Sequence, residues 1–117
     1  MPGAAQPVSK NNREAFVWRE VCQGWTLVDA PNLHVIQERM PSKTFELRHM
    51  HEHTRQLYFI LEGEATVVIN GDTLTLTVGE GVDIPAGIPH QMRNDSAADL
   101  EFLVISTQRP REDRTDL

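Results

Sequence analysis

Gly79-Glu80-Gly81-Val82-Asp83-Ile84-Pro85-Ala86-Gly87-Ile88-Pro89-His90-Gln91-Met92-Arg93-Asn94 is the stretch on which the reading of this chain turns. Two short segments with strand character, Val82 to Ile84 and Gln91 to Arg93, flank a knot of turn formers, Pro85, Gly87 and Pro89. Proline pre-sets φ near −65° and glycine reaches positive φ without strain, so the chain reverses tightly here. His90 is thereby delivered at the start of the following strand, pointing inward.

Working outward, the same grammar repeats. Upstream, Ala65 to Ile69 and Thr73 to Val78 are strand-like runs separated by Asn70-Gly71-Asp72, a strong hairpin signal. Leu74, Leu76 and Val78 alternate with threonines, the period of a half-buried strand. Leu33 to Met40, Thr44 to His51, Leu57 to Leu61 and, downstream, Leu100 to Ser106 complete the series. Many short strands with turn residues at each junction predict an all-β, antiparallel sandwich or barrel. Asn12 to Gln23 alone suits a helix, and its Phe16, Val17, Trp18 and Val21 suit a strand or irregular segment as well. The expected organisation is a flexible lead-in over residues 1–12, one barrel domain over 13–108 and a solvated charged tail over 109–117.

The 117 residues suffice for a single hydrophobic core. A net charge of −6 and scattered basic residues exclude a nucleic-acid or anionic-membrane surface. No apolar run reaches the length of a membrane span. The first residues lack the basic and apolar regions of a secretory signal. Cys22 is the only cysteine and is read as a buried, ordinary thiol. These features together predict a cytoplasmic protein.

The histidines carry the chemistry. His49, His51 and His53 lie together, His90 stands alone in the turn-rich stretch, and His34 reads as a surface or cross-strand residue. On a strand, His49 and His51 share a face about 7 Å apart at Cα, close enough for both rings to reach one ion. A third imidazole from another strand closes such a site, and imidazole is the commonest protein ligand for transition metals.

The two patterns together resemble the cupin superfamily. Gly79, Pro85, Gly87, His90 and Asn94 match its second motif, G-x5-P-x-G-x2-H-x3-N, without departure. His49, His51 and Gly63 match its first motif, H-x-H-x4-E-x6-G, but Gln56 stands where that motif has glutamate. The resemblance covers residues 33 to 107. It implies a double-stranded β-helix (jelly-roll) barrel, commonly a homodimer, holding one divalent transition metal per chain through His49, His51, Gln56 and His90. Three imidazoles with open positions suit Fe, Mn, Ni, Co or Zn.

A neutral glutamine in place of a carboxylate leaves more of the metal charge uncompensated and removes a base from the ligand set. Tyr58, His53 and Glu38 are the candidates for that second role. A neutral ligand set favours an anionic chelating substrate, and therefore the dioxygenase class of the superfamily. A Lewis-acid isomerase or lyase is the alternative, as is a non-catalytic module that binds a sugar or metabolite.

Strand parity maps the interior. Gln56, Tyr58 and Ile60 are expected inside, Leu57, Phe59 and Leu61 outside, Phe45 and Leu47 inside with His49, and Met92 inside with His90. The outward apolar set calls for cover by the same chain or a second copy. Trp18 and Trp25 are candidates for a lid or a dimer contact.

Overall fold

The computed structural model describes residues 5–117. Its strands are β1 (Ala15–Trp18), β2 (Cys22–Ala30), β3 (Leu33–Met40), β4 (His49–His51), β5 (Gln56–Glu62), β6 (Ala65–Ile69), β7 (Asp72–Leu76), β8 (Gly81–Ile84), β9 (His90–Arg93), β10 (Leu100–Ser106) and β11 (Arg114–Asp116). They form two antiparallel sheets, one ordered β1-β2-β3-β10-β5-β8 and the other β11-β4-β9-β6-β7. The fold is the antiparallel jelly-roll barrel expected. Among the described residues no helix is long and apolar enough to cross a membrane.

Turn chemistry fixes the register. Asn70 and Gly71 both have positive φ, 48° and 89°, as the tight β6–β7 hairpin requires. Gly63 has φ 84°, and a Cβ there would run into the Asp99 carbonyl oxygen, so only glycine fits. Asn94 is fully buried and acts as a clasp. Its amide nitrogen donates to the carbonyls of Met40 (2.9 Å) and Ala98 (2.8 Å), while its oxygen accepts from Ser96. Without those bonds the polar side chain would be an uncompensated cost.

Met40, Ile60, Ala65, Val67, Ile84, Met92, Leu100 and Phe102 interlock between the sheets as the apolar core. Each large side chain among them contributes about 1.5–3 kcal/mol by burial. Ile60 and Met92 belong to this core but also continue the faces that carry Gln56, Tyr58 and His90. The core thus forms the floor on which the polar cavity is built.

Period-2 parity holds along β5, where Gln56, Tyr58 and Ile60 are buried while Leu57 and Leu61 are exposed. It fails before β4. The stretch from Glu46 to Arg48 is irregular rather than strand, so Glu46 turns inward, and Phe45 and Leu47 are exposed instead of sharing the inner face of His49. Thr44 to His51 therefore yields only the short β4.

The two ends make contacts with the barrel that their composition does not announce. Residues 1–4 of the predicted lead-in lie outside the described residues. Farther along, Lys10 packs on the outer sheet face, donating to Glu101 at 2.7 Å and sitting 5.6 Å over the Trp25 ring. The segment read as a solvated tail is not free of the barrel. Pro110–Glu112 makes a 3-10 turn and β11 pairs with β4, Arg114 opposite His51 and Asp116 opposite His49. Backbone pairing needs no apolar side chains, which is why a charged composition concealed it. The stretch read as helix or strand resolves into β1 and the start of β2, and Cys22 is a buried free thiol.

Candidate metal centre

β4 and β9 lie side by side with His49 directly opposite His90 in the pairing register. Period-2 geometry then places His51 on the same inner face. The three imidazoles converge, with ring centroids 4.3 Å apart for His49 and His90, 5.0 Å for His49 and His51, and 5.8 Å for His51 and His90. One ring nitrogen from each lies within 4.8 Å of the others, a spacing that fits a single metal ion.

Hydrogen bonding sets the rings for that task. His49 Nδ1 bonds to the Leu47 carbonyl (2.8 Å) and His90 Nδ1 to the Ile88 carbonyl (2.9 Å). A carbonyl only accepts, so each Nδ1 carries the proton and each Nε2 keeps a lone pair. His51 Nδ1 meets the Asp113 carboxylate at 3.2 Å, with the same consequence. Burial drives the pKa of His49 down to about 3 and that of His90 to about 4, with neighbouring imidazoles adding to the effect. Burial also lowers His51, against the opposing pull of Asp113 and the Pro110 carbonyl. Neutral imidazole is the form that binds metal.

Gln56 joins from β5. Its amide nitrogen donates to Ser106 Oγ at 3.0 Å, which turns Oε1 the other way. Gln56 Oε1 and His90 Nε2 are both buried acceptors without a hydrogen-bond partner. Leaving such an acceptor unsatisfied costs about 1–3 kcal/mol, and a cation is the partner that suits both. The residues present therefore fit a divalent metal ion.

A cavity of about 400 Å³ opens at this point, walled by Trp18, His34, Glu38, Glu46, Gln56 and Tyr58 among others. Its size matches a small organic molecule. Tyr58 donates to Glu46 Oε1 at 3.2 Å, and the Met92 backbone N–H donates to the same oxygen at 2.9 Å. Burial pushes Glu46 up to about 7, partly offset by the Met92 N–H. Burial, reinforced by the nearby Glu46, pushes the half-buried Glu38 up to about 8. Burial likewise raises the Tyr58 phenol well above its ordinary range.

Of the residues singled out in the sequence, His49, His51, Gln56, Glu38 and Tyr58 line this cavity, and His90 joins it through its approach to His49 and His51. His53 does not. It is exposed, does not line the cavity, and touches the site only through its backbone N–H, which donates to Asp113 at 2.8 Å. His34 is the cross-strand residue of the two readings, paired with Asp29 on β2 and Ser106 on β10 and buried on the cavity wall. Trp18 lines the cavity, whereas Trp25 packs beneath Lys10. Glu46 and Asp113 were missed. Glu46 sits on an irregular segment that periodicity cannot orient, and Asp113 lies in a run of charges that resembles solvent-exposed chain.

Residues 35–106, more than half of the chain, match the Cupin domain family. A mannose-1-phosphate guanylyltransferase from Klebsiella pneumoniae is 28% identical over 110 residues, which is 89% of this chain and 23% of that protein. The chain thus spans about a quarter of the length of that relative. The polyketide cyclase RemF from Streptomyces resistomycificus superposes with a TM-score of 0.83 at 22% identity, over 97% of this chain and 86% of the other. A sugar phosphate isomerase of the cupin superfamily from Silicibacter pomeroyi gives 0.78 at 21% identity, over 90% and 77%. Barrel, motifs and family match agree: the chain belongs to the cupin family.

Proposed function

We propose that this cupin is a metal-dependent enzyme that moves protons on a small, oxygen-rich chelating molecule, in the manner of an isomerase or lyase. The observation that carries this reading is the presence of Glu38, Glu46 and Tyr58 in the same 400 Å³ cavity as His49, His51 and Gln56, with His90 converging on the two imidazoles. A divalent ion held by His49, His51, His90 and Gln56 would supply Lewis-acid polarisation of a carbonyl or hydroxyl oxygen. The chain's own residues do the rest. Glu46, with its pKa near 7, is matched to take a proton at neutral pH, since a general base works best near the operating pH. Glu38, near 8, keeps its proton there and is the group that can give one back. Tyr58 holds Glu46 in place by donating to Oε1.

The neutral ligand set favours a second reading, a dioxygenase acting on an anionic chelator. Turnover of hydroxy-acids, enediols, thiols and sugar phosphates under Fe(II), Mn(II), Ni(II), Co(II) and Zn(II), with oxygen uptake recorded, tests both. Sugar phosphates enter because a guanylyltransferase of mannose-1-phosphate and a sugar phosphate isomerase are among the similar proteins. Product without oxygen consumption supports proton transfer. Turnover that consumes oxygen in proportion to product replaces it with the dioxygenase. Tight ligand binding with no turnover under any metal makes the chain a binding module instead.

The same reading includes a cytoplasmic location and a homodimer. Leu33, Leu57 and Leu61 are exposed on the outer face of the six-stranded sheet, an apolar set that a second copy would cover. Sedimentation of the wild type against Leu57→Lys measures that assembly.

A further inference from the structure

Asp113 makes more directed hydrogen bonds than its setting in a charged segment predicts. Its Oδ1 accepts from His51 Nδ1 (3.2 Å) and Thr54 Oγ1 (2.9 Å). Its Oδ2 accepts from the backbone N–H groups of His53 (2.8 Å) and Thr54 (3.0 Å). Thr54 is itself fully buried, so these bonds are formed away from bulk water. Burial acts to raise the Asp113 carboxyl, yet the His53 N–H and the Thr54 and His51 donors hold it below the ordinary carboxylate range. The carboxylate therefore bridges two parts of the fold. It ties the 3-10 turn and β11 to the loop that follows β4, and it faces the back of His51.

We propose that Asp113 is a positioning residue of the metal centre, fixing the proton of His51 on Nδ1 and leaving Nε2 free toward His49 and His90. The inference rests on the metal-site reading. His49 and His90 are held by backbone carbonyls two residues earlier in their own chain segments, so their orientation is local. His51 instead takes its orientation from groups far away in sequence, the Asp113 carboxylate at Nδ1 with the Pro110 carbonyl nearby. A carboxylate can only accept, so it dictates the tautomer as firmly as a carbonyl does.

The chemistry of an amide at this position makes the test sharp. In Asp113→Asn one oxygen is replaced by NH2, a donor. The two backbone N–H groups cannot become acceptors, so the amide oxygen stays with them and the NH2 faces His51. That ring must then accept at Nδ1 and carry its proton on Nε2, the atom that would bind metal. Nitrogen-15 NMR of the metal-free protein reads the tautomer, and calorimetric titration with Zn(II) or Ni(II) reads the affinity. The wild type should show His51 protonated on Nδ1. Asp113→Asn should show it on Nε2, with metal affinity lower by about 10–100-fold. Thr54→Val removes one anchor of the carboxylate without touching the imidazole, and should keep both tautomer and affinity even if it melts earlier. Asp113→Asn with unchanged tautomer and affinity overturns the proposal. So does an equal loss of affinity in Thr54→Val, which would mean that Asp113 only fastens the segment. If the wild type binds neither metal, the metal reading falls, and the tautomer still decides whether Asp113 sets the ring.

Discussion

The two sheets face one cavity, and most of its bases and most of its acids come from different sheets, His34 on β3 being the base that stands among the acids. The five-stranded sheet contributes His49, His51 and His90, bases whose pKa values burial drives down. Glu38 and Tyr58 come from the six-stranded sheet and Glu46 from the loop before β4, acids whose pKa values burial drives up. One physical cause, removal from water, acts on both sides against charge. The imidazoles are neutral below pH 7 as well as above it, while the carboxyls hold protons into the neutral range. A divalent ion entering such a cavity keeps most of its charge, and transferable protons lie across from it. The imidazoles and the titrating acids are distinct groups of one shared cavity, with Gln56 beside Tyr58 on β5, and substitutions should separate their roles.

The largest effect is expected among the imidazoles. His90→Ala or His49→Ala should abolish stoichiometric metal binding by calorimetric titration, whereas His53→Ala should leave it intact because His53 is exposed and outside the cavity. Equal losses from all three would erase the distinction between wall and rim.

Next comes Glu46→Gln, which should lower turnover by about 10²–10⁴-fold while metal stoichiometry is retained. Its stability has a defined sign. Glu46 titrates near 7 in the folded chain and near the ordinary 4.5 when unfolded, so the unfolded state releases its proton first. Glu46 therefore costs the wild type stability as pH rises from about 4.5 to 7, a contribution that the glutamine variant lacks while both proteins keep the like-signed one from Glu38. The variant should gain on the wild type across that window by on the order of 2–3 kcal/mol, read from metal-free melting curves. The histidines act on the other side. Their lowered values mean stability is fully present above about 6.5 and is lost as pH falls toward 4 and 3, in wild type and variant alike.

Gln56→Glu puts a negative charge between the two groups. If Gln56 Oε1 ligates, the change should tighten metal binding by about tenfold or more, because a charge pair replaces an ion–dipole contact. Unchanged affinity would remove Gln56 from the ligand set. The smallest effect belongs to Tyr58→Phe, which deletes one hydrogen bond to Glu46 worth about 1 kcal/mol. That bond favours the ionised carboxylate, so the acidic, ascending limb of the pH–rate profile, set by Glu46 as base, should move upward.

Sequence made the barrel legible because turn residues and period-2 alternation report backbone geometry directly. β3, β6 and β10 fall where the alternation begins and ends, and the Asn70-Gly71 hairpin has the positive φ values that its residues favour. Spacing likewise put His49 and His51 on one face, and the resemblance to the cupin motifs added His90. What stayed hidden needed information that side-chain pattern does not carry. Glu46 lies where the strand breaks, so no parity assigns it a face. β11 is held by backbone pairing beneath charged side chains, and Asp113 reaches His51 only because that pairing folds the segment back. His34 reads as a surface or cross-strand residue until β2 and β10 are seen to flank its strand.

The central claim is that the three imidazoles and their cavity hold a metal ion. Elemental analysis of the native protein, repeated after metal-free reconstitution with each candidate ion, tests it most directly. The account predicts close to one transition-metal ion per chain in the wild type and none in His90→Ala. A wild type that stays metal-free through reconstitution with every ion contradicts it.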